Sequence, residues 1–174
     1  MDRIKVRIRW MSYQSVSVIQ TIDRVSFEQS WAKDEFLKCL RNHSTIICQV
    51  AEYNNQIIGF FICERRKSRY HILRMAVLPE FRRSGVGTKL TEMWAKKLVA
   101  GKRSSITIAV RERDLTAQLF FKSLGYLAVG IHREYYDDPT EDAYFMQFRL
   151  TWPGEADIEN RISGYLTQLE NKSI

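Results

Sequence analysis

Apolar and polar positions alternate with two different periods along this chain, and the period changes mark its elements. Residues Ile4 to Trp10 set Val6, Ile8 and Trp10 against Lys5, Arg7 and Arg9, the period-two pattern of a half-buried strand. From Ser15 to Val25 the apolar residues Val18, Ile19, Ile22 and Val25 fall at helical spacing, and Asp34 to Arg41 repeats this with Phe36, Leu37 and Leu40. Thr45 to Glu52 and Gln56 to Cys63 are β-branched and aromatic, with Asn54-Asn55 between them as hairpin-turn chemistry. His71 to Leu78 is a third strand of this region. Val86 to Val99 predicts a helix with Val86, Leu90, Met93, Trp94 and Leu98 on one face, and Ser105 to Val110 a strand. Leu115 to Leu124 predicts a helix between an Asp114 N-cap and Gly125 at its C-terminal end, and Tyr126 to His132 and Ala143 to Leu150 predict closing strands. The order β, α, α, β, β, β, α, β, α, β, β describes a mixed α/β (α+β) sheet with helices on its faces.

Trp152-Pro153-Gly154 ends this domain, placed at residues 1–150. In the extension, residues 151–174, Ile158, Ile162, Tyr165, Leu166 and Leu169 form the stripe of an amphipathic helix, to be covered by the same chain or by a second subunit in a homodimer.

Composition narrows the classes. The length of 174 residues suits one domain with a real core, and no apolar run approaches the ~20 residues of a membrane span. The N-terminus lacks the apolar region of a signal peptide. Cys39, Cys48 and Cys63 are odd in number and unpaired in spacing, as expected of free thiols in the cytoplasm rather than of a disulfide frame or metal site. The net charge of +7 favours anionic partners. Its basic residues are scattered apart from Arg65-Arg66-Lys67 and Arg82-Arg83, without the interleaved basic and aromatic patch of a nucleic-acid binder, so no nucleic acid is expected.

The candidate chemistry lies at the joint between a strand and a helix. Residues Arg82, Arg83, Ser84, Gly85, Val86, Gly87 and Thr88 put two glycines at a helix start. A helix N-terminus offers unpaired N–H groups and a positive dipole end, so this joint can cradle a pyrophosphate. For a lone G-x-G, a glycine-containing turn with no ligand is the more common reading.

The surrounding segment resembles the signature of the GNAT (GCN5-related N-acetyltransferase) superfamily, R/Q-x-x-G-x-G/A after a strand. The resemblance extends over most of residues 4–150. "SWAKDEF", "MAVLPEFRRSGVG", "IAVRERDLTAQLFFKSLGY" and "REYYDDPTEDAYFM" are similar to the ribosomal-protein-alanine N-acetyltransferases and the related N-terminal acetyltransferases. The resemblance implies a mostly antiparallel twisted sheet with a splayed central strand pair. It also implies acetyl-CoA as co-substrate, with no metal. Met75, Ala76 and Val77 would lie along the pantetheine arm, and the amides of residues 83 to 88 on the pyrophosphate. Asp114 and Phe121 hold later cofactor-contacting positions, and Asp114 stands where the family often has asparagine. Tyr135 and Tyr136 would hold the acceptor peptide from a loop over the groove.

The family's catalytic glutamate and tyrosine fall at Ala109 and Phe121, so both polar groups are missing. His71, at the head of the strand leading into the cradle, is the candidate base, since imidazole has a reference pKa near 6.5. Tyr126 and Tyr135 are candidate acids. His43 and His132 match no catalytic position. The expected activity is acetyl transfer to a protein or peptide N-terminal α-amine. The alternatives are a small-molecule amine as acceptor, or a CoA-binding module with impaired catalysis.

Overall fold

The computed structural model describes residues 4–99, 103–137 and 139–150. The amphipathic stripe from Ile158 to Leu169 lies outside them. Seven strands form one sheet: β1 (Arg7–Trp10), β2 (Ile46–Tyr53), β3 (Gln56–Arg65), β4 (Arg69–Val77), β5 (Ser105–Arg111), β6 (Leu127–Asp137) and β7 (Thr140–Arg149). The helices are α1 (Val16–Arg24), α2 (Lys33–Arg41), α3 (Val86–Val99) and α4 (Leu115–Ser123). The strand order is β1-β2-β3-β4-β5-β7-β6, antiparallel throughout except for the parallel pair β4–β5. Among the described residues no helix is long and apolar enough to cross a membrane.

The apolar stripes of the helices explain the layers. Ile19 and Ile22 of α1 and Phe36 of α2 are buried with Val50, Phe60, Ile62 and Ala76 on one face of the sheet. Leu90, Trp94 and Leu98 of α3 and Phe121 of α4 are buried with Ile72, Ile106, Val110 and Met146 on the other. Asn54 and Asn55 both take positive φ, 48° and 62°, as a tight β2–β3 turn requires.

Two departures from the sequence pattern matter. The β6–β7 hairpin runs much further than His132 and Ala143, up to the pair Asp137↔Thr140. Nearly all of β6 is exposed, so no alternation of burial marks it in the sequence. Tyr135 and Tyr136 thus stand in a strand, next to an irregularity between His132 and Tyr136 where Glu134 has φ 50°, rather than in a loop.

The second departure is inside β4. Ile62 faces Arg74 while Cys63 faces Ile72, so Leu73 is an extra, bulged residue. The bulge inverts the faces. Tyr70 and Ile72 point to the α3 layer, as do Met75 and Val77 beyond it, while Arg74 and Ala76 turn to the α1–α2 layer. At the same place β4 leaves β5. The parallel pairing runs from Arg69↔Ser105 to Ile72↔Ile108 and ends there; beyond it β4 stays with β3, and Ala109 to Arg111 stay with β7. The central pair is splayed.

Candidate functional site

The open edge of β4 is made of backbone. The Leu78 amide donates to the Ile58 carbonyl at 2.8 Å. In an antiparallel ladder this turns the polar groups of Ala76 towards β3 and those of Met75 and Val77 to the opposite edge, which β5 has vacated. Met75 and Val77 therefore fit a partner that pairs like a strand. Ala76 does not, because its backbone serves β3 and its side chain is buried against the α1–α2 layer.

A short turn, Pro79–Phe81, leads from this edge to the cradle. Arg83 and Gly85 take left-handed φ values of 64° and 84°. The first backbone bond of α3 runs from the Lys89 amide to the Gly85 carbonyl, 3.0 Å, so the amides of Val86, Gly87 and Thr88 precede the helix's own acceptors. Successive free amides at the positive end of a 14-residue helix suit an anion.

The side chains of the joint do other work. Arg82 donates from Nε to the Val77 carbonyl at 2.9 Å and from Nη2 to Ser26 Oγ at 3.2 Å, so it braces the loop against the end of β4 and against the chain after α1. Ser84 is buried and its Oγ donates to the Phe81 carbonyl at 2.6 Å. Val86 is core. A Cβ on Gly87 would stand 3.1 Å from Cζ of Phe120, so this glycine lets α3 pack on α4.

On the α1–α2 side of the splay lies a cluster of charged residues to which the sequence motifs assign no role. Asp23, fully buried, accepts from Arg74 Nε at 2.7 Å, from Arg74 Nη2 at 2.9 Å and from the Trp31 amide at 2.7 Å. Arg74 also donates to the Gln29 carbonyl at 2.5 Å, and its guanidinium lies 3.7 Å from the Phe27 ring centroid. One arginine thus pins the connection between α1 and α2. Arg111 of β5 donates to Glu141 Oε2 at 2.8 Å and covers the Tyr136 ring at 3.9 Å. Glu141 is held below the usual carboxylate range, chiefly by the Arg113 amide and also by Arg111. The Tyr136 hydroxyl donates to the Ala109 carbonyl at 3.2 Å, the first β5 residue past the splay. Burial, then the Tyr135 hydroxyl, pushes its pKa up to about 12. Tyr135 is exposed, its ring edge-on to Tyr136 at 5.0 Å.

Several expectations are corrected. His71, the candidate base, is buried, stacks on Phe145 at 5.7 Å, and places Nδ1 2.9 Å from Thr107 Oγ1. Burial first, and then the charge of Arg66, lowers its pKa to about 4, so it is neutral at pH 7 and a weak base. Phe121 and Tyr126 are core residues in mutual edge contact at 5.1 Å, so neither lines the opening. Asp114 is the N-cap of α4 that the sequence predicts, accepting from the Ala117 amide at 2.9 Å. Asp23, Arg74, Arg111 and Glu141, to which the sequence assigns no role, come from four distant segments. The local signals were two charges at apolar positions, Arg74 inside an apolar strand and Asp23 on the apolar stripe of α1. Among the described residues no group of His, Cys, Asp or Glu is placed to hold a metal.

Comparison with known proteins agrees with this geometry. Residues 43–127 match the family model described as an acetyltransferase (GNAT) domain. The N-alpha-acetyltransferase of Sulfurisphaera tokodaii is 28% identical over 154 residues, covering 80% of this chain and 90% of that protein. The ribosomal protein bS18-alanine N-acetyltransferase of Haemophilus influenzae is 30% identical over 87 residues, or 50% of this chain and 59% of that one. In fold, the ribosomal-protein-S18-alanine N-acetyltransferase of Escherichia coli superposes with a TM-score of 0.76 at 22% identity, over 87% of this chain and 97% of that structure. With the motif, the splayed pair and the cradle in their places, residues 43–127 carry a GNAT acetyltransferase domain.

Proposed function

We propose that the protein transfers the acetyl group of acetyl-CoA to the N-terminal α-amine of a protein. The observation that carries this reading is the divergence of β4 from β5 beyond Ile72 and Ile108, which opens between the amide cradle and the tyrosine hairpin. Bound acetyl-CoA supplies the thioester that is cleaved as the new amide bond forms. The amides of residues 83 to 88 hold the diphosphate, and the edge of Met75 and Val77 aligns the arm that follows. The acceptor enters from the α1–α2 side, where Tyr135 and Tyr136 bind its backbone and Arg74 fixes the shape of the wall.

Proton handling follows from His71, on β4 just before the splay, and Tyr136, bonded to the Ala109 carbonyl just past it. His71, near 4, and Tyr136, near 12, both sit far from neutrality. Neither takes a proton from an ammonium at pH 7. The acceptor therefore reacts from its own free-base fraction, with an α-amine pKa of roughly 8. Tyr136, protonated, acts as a donor that orients.

The test uses peptides with a free N-terminal alanine, the same peptides with that amine blocked and a free lysine, and a polyamine. Release of free CoA and one added acetyl group on the free-amine peptide alone are expected. The plot of log kcat/KM against pH should rise with unit slope and level near the peptide's own amine pKa. Turnover only on lysine or the polyamine moves the acceptor to another class. CoA binding without turnover on any amine leaves a binding module.

A further inference from the structure

The sequence scatters its basic residues, but the fold gathers six of them at one end of the sheet. Arg65 ends β3, Arg66 and Lys67 lie in the turn that follows, Arg69 opens β4, Arg103 precedes β5, and Arg149 ends β7. The Arg66 amide donates to the Arg69 carbonyl at 2.9 Å, closing the turn. Arg103 Nε donates to the Arg66 carbonyl at 2.7 Å, and the Ser104 amide to the Ser68 carbonyl at 3.1 Å. The register Arg69↔Ser105↔Arg149 sets Arg69 and Arg149 level with one another on either side of β5. Within 64–72, 103–107 and 146–150 the sequence has a single acid, Glu64, and it is paired with Arg66. Arg69 Nε is buried without an acceptor. The field of this group reaches inward, since Arg66 and Arg69 both depress the pKa of His71.

We propose that this end of the sheet is a docking surface for the phosphate backbone of structured RNA. Five of the six cations are arginine, whose planar guanidinium takes phosphate oxygens in pairs. They are fixed by strands and a closed turn, so little ordering is lost on binding. No large apolar side chain in these segments is exposed among the described residues, whereas a membrane-surface site needs apolar groups to insert. The nine residues of β4 separate this end from the cradle by about 25 Å. Bound RNA therefore leaves the acetyl-transfer opening free. The surface does not depend on which amine is acetylated.

The test is fluorescence anisotropy of the full chain with a labelled 20-base-pair RNA hairpin at several salt concentrations (about 50 to 200 mM). The parent should bind, and its log affinity should fall with log salt by roughly one unit per phosphate neutralised. The triple variant Arg65→Ala, Lys67→Ala, Arg149→Ala should bind at least tenfold more weakly, with a shallower salt slope and unchanged peptide acetylation. A control that removes the same charge elsewhere, Arg24→Ala, Lys33→Ala, Lys122→Ala, should bind like the parent. Equal loss in both triple variants would mean diffuse charge and end the proposal. So would absence of RNA binding at the lowest salt, or binding to phosphatidylserine vesicles but not to RNA. Acetylation rates are read separately, so failure of the acceptor reading does not touch this result.

Discussion

The two halves of the splayed opening are built in opposite ways. The cofactor half is main chain: the outward groups of Met75 and Val77 and the amides that follow Arg82, all within one stretch of fourteen residues. The acceptor half is side chain: Asp23, Arg74, Arg111, Tyr136 and Glu141, drawn from α1, β4, β5 and the β6–β7 hairpin and held by charge-assisted hydrogen bonds and by the tyrosine's bond to a backbone carbonyl. A backbone site needs only φ values and a helix start, so one contiguous motif encodes it. A side-chain site needs the whole fold before its members meet. The first tolerates changes of side chain and is sensitive to added Cβ atoms. The second has the reverse sensitivities.

The strongest way to break this contrast is at Asp23. Asp23→Ala leaves the guanidinium of Arg74, itself mostly buried, without its carboxylate, and should cost about 3–5 kcal/mol in urea unfolding. The double variant Asp23→Leu, Arg74→Met should recover much of that stability. If Asp23→Ala unfolds like the parent, the pair is not what anchors the acceptor wall.

Next in size is the pH dependence carried by His71. Its folded pKa, about 4, lies below the unfolded value near 6.5, so folding favours the neutral ring. Its contribution is fully present above pH 6.5. It declines as pH falls from there to about 4, where the unfolded chain binds the extra proton, and is level below. The shift corresponds to at most about 3 kcal/mol. Stability curves for the parent and for His71→Phe should diverge across this window; parallel curves would return His71 to an accessible, titrating position.

A smaller effect is expected in the cradle. Gly85→Val forces an L-residue towards φ 84°, and strain of roughly 1–3 kcal/mol should weaken acetyl-CoA by about 10- to 100-fold in calorimetry. Gly87→Val should instead lower the melting temperature, because its Cβ meets Phe120. The smallest change is Tyr136→Phe. Loss of the bond to the Ala109 carbonyl should raise KM for peptide less than tenfold, in keeping with about 1 kcal/mol, and leave KM for acetyl-CoA alone.

The same contrast decides what the sequence shows. Every helix and strand core was visible, because amphipathic periods of two and 3.6 report which face is buried. The far half of β6 was not, since a strand exposed on both faces carries no period. The bulge at Leu73 was hidden in the apolar run of β4, where either face of the sheet accepts the same side chains. Asp23 did leave a trace: it lies four residues after Ile19 and next to Ile22, on the buried stripe of α1, where a carboxylate demands a partner. Nothing local could say that the partner is fifty-one residues away.

The divergence of β4 from β5 also gives the sheet two additional half-edges, in its interior. An exposed edge strand invites pairing with any passing chain and is the usual seed of aggregation. Here the template for strand addition lies between two helical layers and is flanked by strands that remain fully paired. A thin, extended molecule can reach it, while the edge of another folded sheet is too thick to enter. The fold keeps the selectivity of strand pairing and is protected from its hazard.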